Sequence, residues 1–300
     1  MTQTTKFPRM VLAAAFKIAK QSLPEYAHRC SPRKFTQHQL FACLVLQQFL
    51  KLDYRKLQAF LLDTPCLTAV IELNTIPHFT TFQKAASRLL KSSSAQRLLD
   101  KTIRTAISAG MSRKQIKLAA IDGTGFETRH ISAYFVKRRK RTCKTAYETT
   151  TYTRYPSAGI ICDCASHLIL SVIPGRGPNP DDKHYRKAVA QAAKRVKVGT
   201  ILADAGYDSE GAHLFARQEH GMRTIIPATR GRPTNKLPKG YWRRRMTTRF
   251  NSEKYGQRWQ VETVNSMIKR MQGSALRARC YWSQCREIVL RTITHNIMIL

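Results

Sequence analysis

The sequence predicts a mixed α/β sheet with helices on both faces, preceded by an all-α region. Two observations carry this. Up to about residue 112 the chain reads as helices, whereas from about 116 the apolar residues come in short runs bounded by turn residues. In that second part, strands come first in hairpin order and then alternate with helices, the order of a mixed sheet. The 300 residues divide accordingly into regions 1–112 and 113–300, with no internal repeat.

Residues 36–50 are apolar nearly all round and form a central helix; residues 54–62 form a second. In IPHFTTFQKAASRLL, Thr80 and Gln83 have capping-box spacing and start a helix running to about Leu90. Another helix follows near 95–109. Short helices joined by tight turns suit a helix-turn-helix DNA reader and a plain helical bundle equally. IKLAAID, from Ile116, is a short apolar run ending in an acid and reads as a buried strand. SAGIICDCASHLILSVI reads as two strands joined by a turn near Ala165 and Ser166. A helix over 181–193, a strand in GTILADAG, a helix over 209–219, a strand in MRTIIPA and a closing helix over 284–300 complete the order.

Fifty-two Lys and Arg oppose 18 Asp and Glu, giving a net charge of +34. That imbalance points to a polyanionic partner. Nucleic acid ranks ahead of an anionic membrane, because no strongly amphipathic basic terminal helix stands out. No segment reaches the roughly 18 apolar residues needed to span a bilayer. The N-terminus lacks a signal peptide's apolar stretch, so a cytoplasmic protein is expected. Most of the eight cysteines lie in apolar or helical context, as buried reduced thiols do, and none forms a CxxC pair. Cys162 and Cys164, flanking Asp163 on one strand, make a poor zinc site. No P-loop sequence is present, so ATP-driven chemistry is unsupported.

Two basic loops, 137–154 and 227–250, interrupt the α/β pattern. The first opens with KRRKRTCK and contains Arg138, Arg139, Lys140 and Arg141. The second carries eight basic residues and no acid, with Trp242 beside Arg243, Arg244 and Arg245. Basic residues next to aromatics suit a groove that tracks a nucleic-acid backbone and stacks bases, so these are candidate DNA contacts. The alternative is a solvated loop, or an aromatic anchor pinning the segment to the core.

The most informative stretch is YGQRWQVETVNSMIK, from Tyr255 to Lys269. On a helix, Tyr255, Arg258, Glu262 and Lys269 fall within roughly 60° of one another, opposite Val261, Val264, Met267, Ile268 and Met271. Acids are scarce, so their positions are informative. Asp122 closes LAAID and precedes Gly123, Thr124 and Gly125; Asp204 closes TILAD and precedes Ala205, Gly206 and Tyr207. Strand ends of α/β sheets are where function gathers. Singly, each aspartate reads better as a carboxylate capping the following turn. Together with Glu262 they form a hard-oxygen set without histidine or cysteine, suited to Mg²⁺ or Mn²⁺ and, with two ions, to phosphodiester chemistry. His184, after Asp181 and Asp182, is a further candidate for the cleft.

These residues resemble a DDE transposase of prokaryotic insertion sequences, the large grouping of the insertion-sequence "four" and "five" families. Tyr255, Arg258, Glu262 and Lys269 match that group's Y-x2-R-x3-E-x6-K signature at every position and spacing. IDGTGF around Asp122 and ADAGYDS around Asp204 resemble its first and second acidic motifs. FTQHQLFACLVLQQFLKLDYRKLQAFL and IPHFTTF resemble the helical region before the catalytic core, and RTITHNIMIL resembles its closing His-Asn helix. The resemblance implies an RNase H-like fold over 113–300, with Asp122, Asp204 and Glu262 binding two divalent ions. It implies that Tyr255, Arg258 and Lys269 contact the DNA backbone near the element end. The implied chemistry is nicking at the ends, then attack of the freed 3′-hydroxyl on target DNA, in a nucleoid-associated homodimer bound to double-stranded DNA. The short interval 227–250 leaves no room for the large β-rich insertion of some members. Two alternatives stay open: an inactive, transposase-derived DNA-binding protein, and a stand-alone nuclease of the same fold.

Overall fold

In the computed structural model, which describes residues 4–30, 32–128, 155–177, 182–229 and 236–300, the helical region is built around one helix. This is α2 (Gln37–Phe49), whose run from Leu40 to Leu46 is fully buried. Thr36 and Gln39 form a capping box at its start: the Gln39 amide donates to Thr36 Oγ1 at 3.1 Å, and the Thr36 amide to Gln39 Oε1 at 3.0 Å. Packed on it are α1 (Pro8–Lys20), α3 (Tyr54–Asp63, capped by Asp53) and α5 (Phe79–Leu89), while the short α4 (Pro65–Thr68) and α6 (Ser92–Ser108) pack on α1.

The capping box expected from Thr80 and Gln83 does not form. Helix α5 starts two residues earlier, at Phe79, with His78 in place of Thr80 as its cap residue and no side-chain cap. Gln58 on α3 accepts the Phe79 amide at 2.9 Å, and Thr80 Oγ1 instead meets His78 Nδ1. A tertiary partner has replaced the local one, which sequence spacing does not reveal.

Among the described residues the sheet has five strands in the order β4-β3-β1-β5-β6. They are β1 (Gln115–Gly125), β3 (Tyr155–Asp163), β4 (Ile169–Gly177), β5 (Lys197–Leu202) and β6 (Arg223–Ile225). β3 runs antiparallel to β1 and β4, while β5 and β6 run parallel to β1. The short β2 (Glu127–Thr128) pairs with β7 (Ala275–Leu276) outside this sheet. The fold is a mixed α/β sheet flanked by helices, RNase H-like, preceded by a helical region.

β1 is longer than the apolar run suggested. Its antiparallel ladder with β3 continues through Asp122↔Ile160 to Gly125↔Ser157, whereas its parallel ladder with β5 stops at Ala120↔Leu202. Asp122 therefore lies within the strand, on a stretch paired on one side only. Asp204 leaves β5 two residues after the parallel ladder ends. The crevice is the space β5 vacates.

Among the described residues the remaining α-helices are α7 (Asp182–Arg195), α8 (Glu210–Leu214), α9 (Tyr241–Thr248), α10 (Ser252–Tyr255), α11 (Trp259–Gln272) and α12 (Tyr281–Ile299). The 209–219 helix is split: α8 is followed by a π turn at Phe215–Glu219. Asp122 and Ile160 are cross-strand partners and share a face; Gly159, one residue along, is on the other. His184 covers that second face, where a Cβ at Gly159 would lie 2.7 Å from His184 Cβ. His184 thus belongs with α7, on the face opposite Asp122, and not to the cleft.

Helix α12 ties the two regions together. Asn296, fully buried, accepts the Ile169 amide at 2.8 Å and donates to the Ile169 carbonyl (2.9 Å) and to Thr102 Oγ1 on α6 (3.1 Å). It caps the edge of β4 where its ladder with β3 slips, between Ile161 and Cys162. Of the described cysteines, Cys43, Cys162 and Cys164 are buried, but Cys30, Cys66 and Cys280 are exposed, contrary to the expectation of mostly buried thiols. Those three sit on polar helix ends and connections, where an apolar neighbourhood in sequence does not mean an apolar one in space.

Candidate active site

The stripe segment is not one uniform helix. α10 ends at Tyr255, a 3-10 turn spans Gly256–Arg258, and α11 begins at Trp259. Backbone angles stay right-handed throughout, Tyr255 at φ −62°, ψ −34° and Arg258 at φ −60°, ψ −31°, so the path is continuous but tightened by one turn. Val261, Val264 and Ile268 are buried as expected, while Met267 and Met271 are only half-buried. Asn265 and Gln272 are buried in addition.

Arg258 is the hub. Its guanidinium bonds Glu262 Oε1 one turn on, and stands 3.8 Å from Asp122 Oδ1. The Tyr255 side chain lies beside this guanidinium, its ring packed on Phe250 with centroids 5.0 Å apart. Burial pulls the Arg258 pKa down, but Glu262, Tyr255 and Asp122 outweigh it and the net shift is upward, so this cation is held firmly. Lys269 lies two turns along α11, its Nζ 5.8 Å from the centroid of Phe126, the residue that follows β1. The structure therefore gathers Tyr255, Arg258, Glu262 and Asp122 directly and sets Lys269 beside the end of β1.

Asp122 carries the clearest electrostatic signal. Its side chain is 19% exposed. Burial, followed by the nearby Asp204 and Glu262 carboxylates, pushes its pKa up from 3.8 to about 6, against the opposing pull of Arg258 and of the Gly123 amide. Asn265 donates to Asp122 Oδ2 at 3.1 Å. Asp204 is half-buried and does what a strand-end carboxylate does alone: its Oδ1 accepts the Gly206 amide at 2.9 Å. Its field nonetheless reaches both Asp122 and Tyr255. Glu262 is the open member, with its side chain 53% exposed.

Asn265 is the residue that sequence reasoning missed. It lies one turn beyond Glu262, at the border between stripe and packing face, where a buried amide is a usable signal. Its Oδ1 is buried with no hydrogen-bond partner among the described residues. An orphaned oxygen on the amide that holds Asp122 suits a cation with oxygen preference. Among the described residues, no three His, Cys, Asp or Glu side chains are close enough together to hold one metal ion as they stand. Arg258 supplies the positive charge between Asp122 and Glu262. The donor set fits a divalent ion by its chemistry, all oxygen and electrostatically coupled.

The basic segments divide. Arg138, Arg139, Lys140 and Arg141 lie outside the described residues. The second is not loop throughout, since Tyr241–Thr248 is the helix α9; on it Arg243 pairs with buried Asp208, Nη2 to Oδ2 at 2.7 Å, and donates to the Thr229 carbonyl at 3.1 Å. The amides of Trp242 and Arg243 donate to Glu210, and Arg217 stacks 3.7 Å from the Trp242 ring. Trp242 and Arg243 thus fasten α9 to α8, the anchoring role that the sequence left open beside DNA contact. Arg244 and Arg245 are exposed, with Tyr241 beside them.

Among the described residues, no helix is long and apolar enough to cross a membrane. A family model described as a transposase DDE domain matches residues 113–297, a span that includes all three acids and the whole stripe. No curated protein matches the chain.

Proposed function

We propose, from the premise that the chain belongs to the transposase DDE-domain family, that it cuts the ends of an insertion sequence and joins the freed 3′-hydroxyl to target DNA. Asp122, Asp204 and Glu262 would hold two divalent ions, Mg²⁺ or Mn²⁺, with the Asn265 oxygen close by. Such ions, when bound, sharpen an attacking oxygen and neutralise charge on the leaving one. The chain's own residues do the rest. Asn265 orients the Asp122 carboxylate through its 3.1 Å bond. Arg258 would offer its fork to a phosphate, with Tyr255 beside it and Lys269 adding a point charge on the same side. The exposed Arg244 and Arg245, the 137–154 segment and the 1–112 helices would track the remaining backbone, drawn in by the +34 charge. Paired ends call for a homodimer in the DNA complex.

The single observation that carries this reading is Asp122. It is a half-buried acid on a half-paired strand, made costly to ionise first by burial and then by two further acids, and answered by the arginine of the stripe. An ion pair alone lowers a carboxyl's pKa; here burial outweighs the pull of Arg258 and the pKa rises, as it does at functional sites. The test is a cleavage assay on duplexes carrying the element's flanking repeats, with cut positions mapped on both strands. Metal-dependent nicks at the ends followed by joining support the proposal. Binding without any cutting in Mg²⁺ or Mn²⁺ leaves only a DNA-binding role, and nicking without joining leaves a nuclease.

A further inference from the structure

We propose that a basic hollow at the β4 edge of the sheet grips the phosphodiester backbone of duplex DNA away from the bond being cut. The inference rests on the DNA-processing reading above. A cavity of about 480 Å³ opens between the end of β4, the start of α7 and the start of α12. Arg176, Lys183, His184 and Lys187 line it, with Gly175 and Tyr281 completing the wall. None of the described residues that line it is acidic.

Surface lysines on a +34 chain ordinarily mean only a solvated face. Three observations set this hollow apart. Its positive groups come from separate elements and converge on one concavity, where low-dielectric walls concentrate their field. Lys183 and Lys187 are both exposed and stand four apart on α7, so one face of the helix presents both to the hollow. The Arg176 guanidinium lies 4.1 Å from the Tyr281 ring centroid, so the face of its fork is held and its donor edge has a set direction. Gly175 permits the closeness: a Cβ there would stand 2.5 Å from His184 Cε1.

Sheet register fixes the relation to the acids. Asp122 pairs with Ile160, and Ile160 with Val172, so Val172 lies two strands from Asp122, roughly 10 Å across the sheet. The hollow begins at the next residue, Ile173, and its α7 wall covers the face opposite Asp122. A strand seated at the acids cannot place its scissile phosphate there. The hollow therefore takes other phosphates, read as charge and not as sequence. Free inorganic phosphate shares this chemistry and is separated from DNA by the test.

The test compares three full-length proteins in duplex-DNA binding across a salt series: wild type, Lys183→Ala/Lys187→Ala, and a control, Lys194→Ala/Lys197→Ala. The control lysines are also exposed but lie at the opposite end of the sheet. The slope of log affinity against log salt should become shallower by about 2 in the pocket variant, near 0.9 per phosphate released, and by well under 1 in the control. Equal losses in both variants, or none in either, overturn the proposal. So does an unchanged slope accompanied by calorimetric binding of inorganic phosphate to wild type but not to the pocket variant, which makes the hollow a free-phosphate site. A wild type with no salt-dependent DNA affinity sinks the functional reading itself, and this inference with it.

Discussion

Asp122→Asn should make the protein more stable at neutral pH in a chelating buffer, although it removes the acid on which the chemistry turns. The native pKa of about 6 lies some two units above the ordinary 3.8. Each unit represents about 1.4 kcal/mol, so the ionised carboxylate costs the native state about 3 kcal/mol at pH 7.5. The sign follows from proton counts. Between pH 3.8 and 6 the native state holds the proton and the unfolded chain does not, so stability falls as pH rises through that window and stays low above it. The penalty already includes the attraction of Arg258, and an asparagine oxygen still accepts the Asn265 bond. For a chain of this size, about 3 kcal/mol corresponds to roughly 5 °C in melting temperature. Thermal melts of both proteins in EDTA at pH 7.5 and pH 4 are the assay. The variant should melt higher at pH 7.5, with the gap shrinking below about 1 kcal/mol at pH 4. Added Mg²⁺ should raise the wild-type melt and leave the variant's nearly unmoved. A variant no more stable than wild type at pH 7.5, or an equal gap at both pH values, refutes the reasoning.

Other expectations follow from the same contacts. His213 and His295 are buried, and burial lowers each pKa from 6.5 to about 4. The unfolded chain then binds more protons below pH 6.5, so each costs stability, on the order of 2–3 kcal/mol, as pH falls from 6.5 to 4; His295→Gln should flatten a pH series of urea midpoints. That trend opposes the one from Asp122, which is why the difference between wild type and Asp122→Asn isolates the acid. Asn296→Ala strands the Ile169 amide and carbonyl and should cost about 3 kcal/mol in urea unfolding; a loss below about 1 kcal/mol contradicts its role at the β4 edge. Arg258→Gln removes the cation that lowers the Asp122 pKa, so the acidic limb of the cutting rate should move up by about 1 pH unit, alongside weaker DNA binding.

Much of this was legible because the relevant signals are local. The burial of α2 follows from an apolar run with no polar face, and the strand order follows from alternating patterns. The stripe survives a 3-10 turn because Arg258 and Glu262 need only be one turn apart. What sequence could not supply was tertiary. Gln58 capping α5, Asp208 capturing Arg243 and Asn265 reaching Asp122 join residues 21, 35 and 143 positions apart. The length of β1 was missed for a related reason: DGTG reads as a turn, but β3 pairs with it and holds it extended. His184 followed two acids and looked like part of the cleft; strand parity places it on the other face.

The central claim is that Asp122, Asp204 and Glu262 form one metal-dependent cutting site on DNA. It is tested most directly by measuring end cleavage in Mg²⁺ for Asp122→Asn, Asp204→Asn and Glu262→Gln, with DNA affinity measured in parallel. Each single variant should lose cutting by about 10³-fold or more, the double variants should be no worse than the singles, and affinity should stay within about threefold of wild type. Cutting at the wild-type rate by any one of the three contradicts the account.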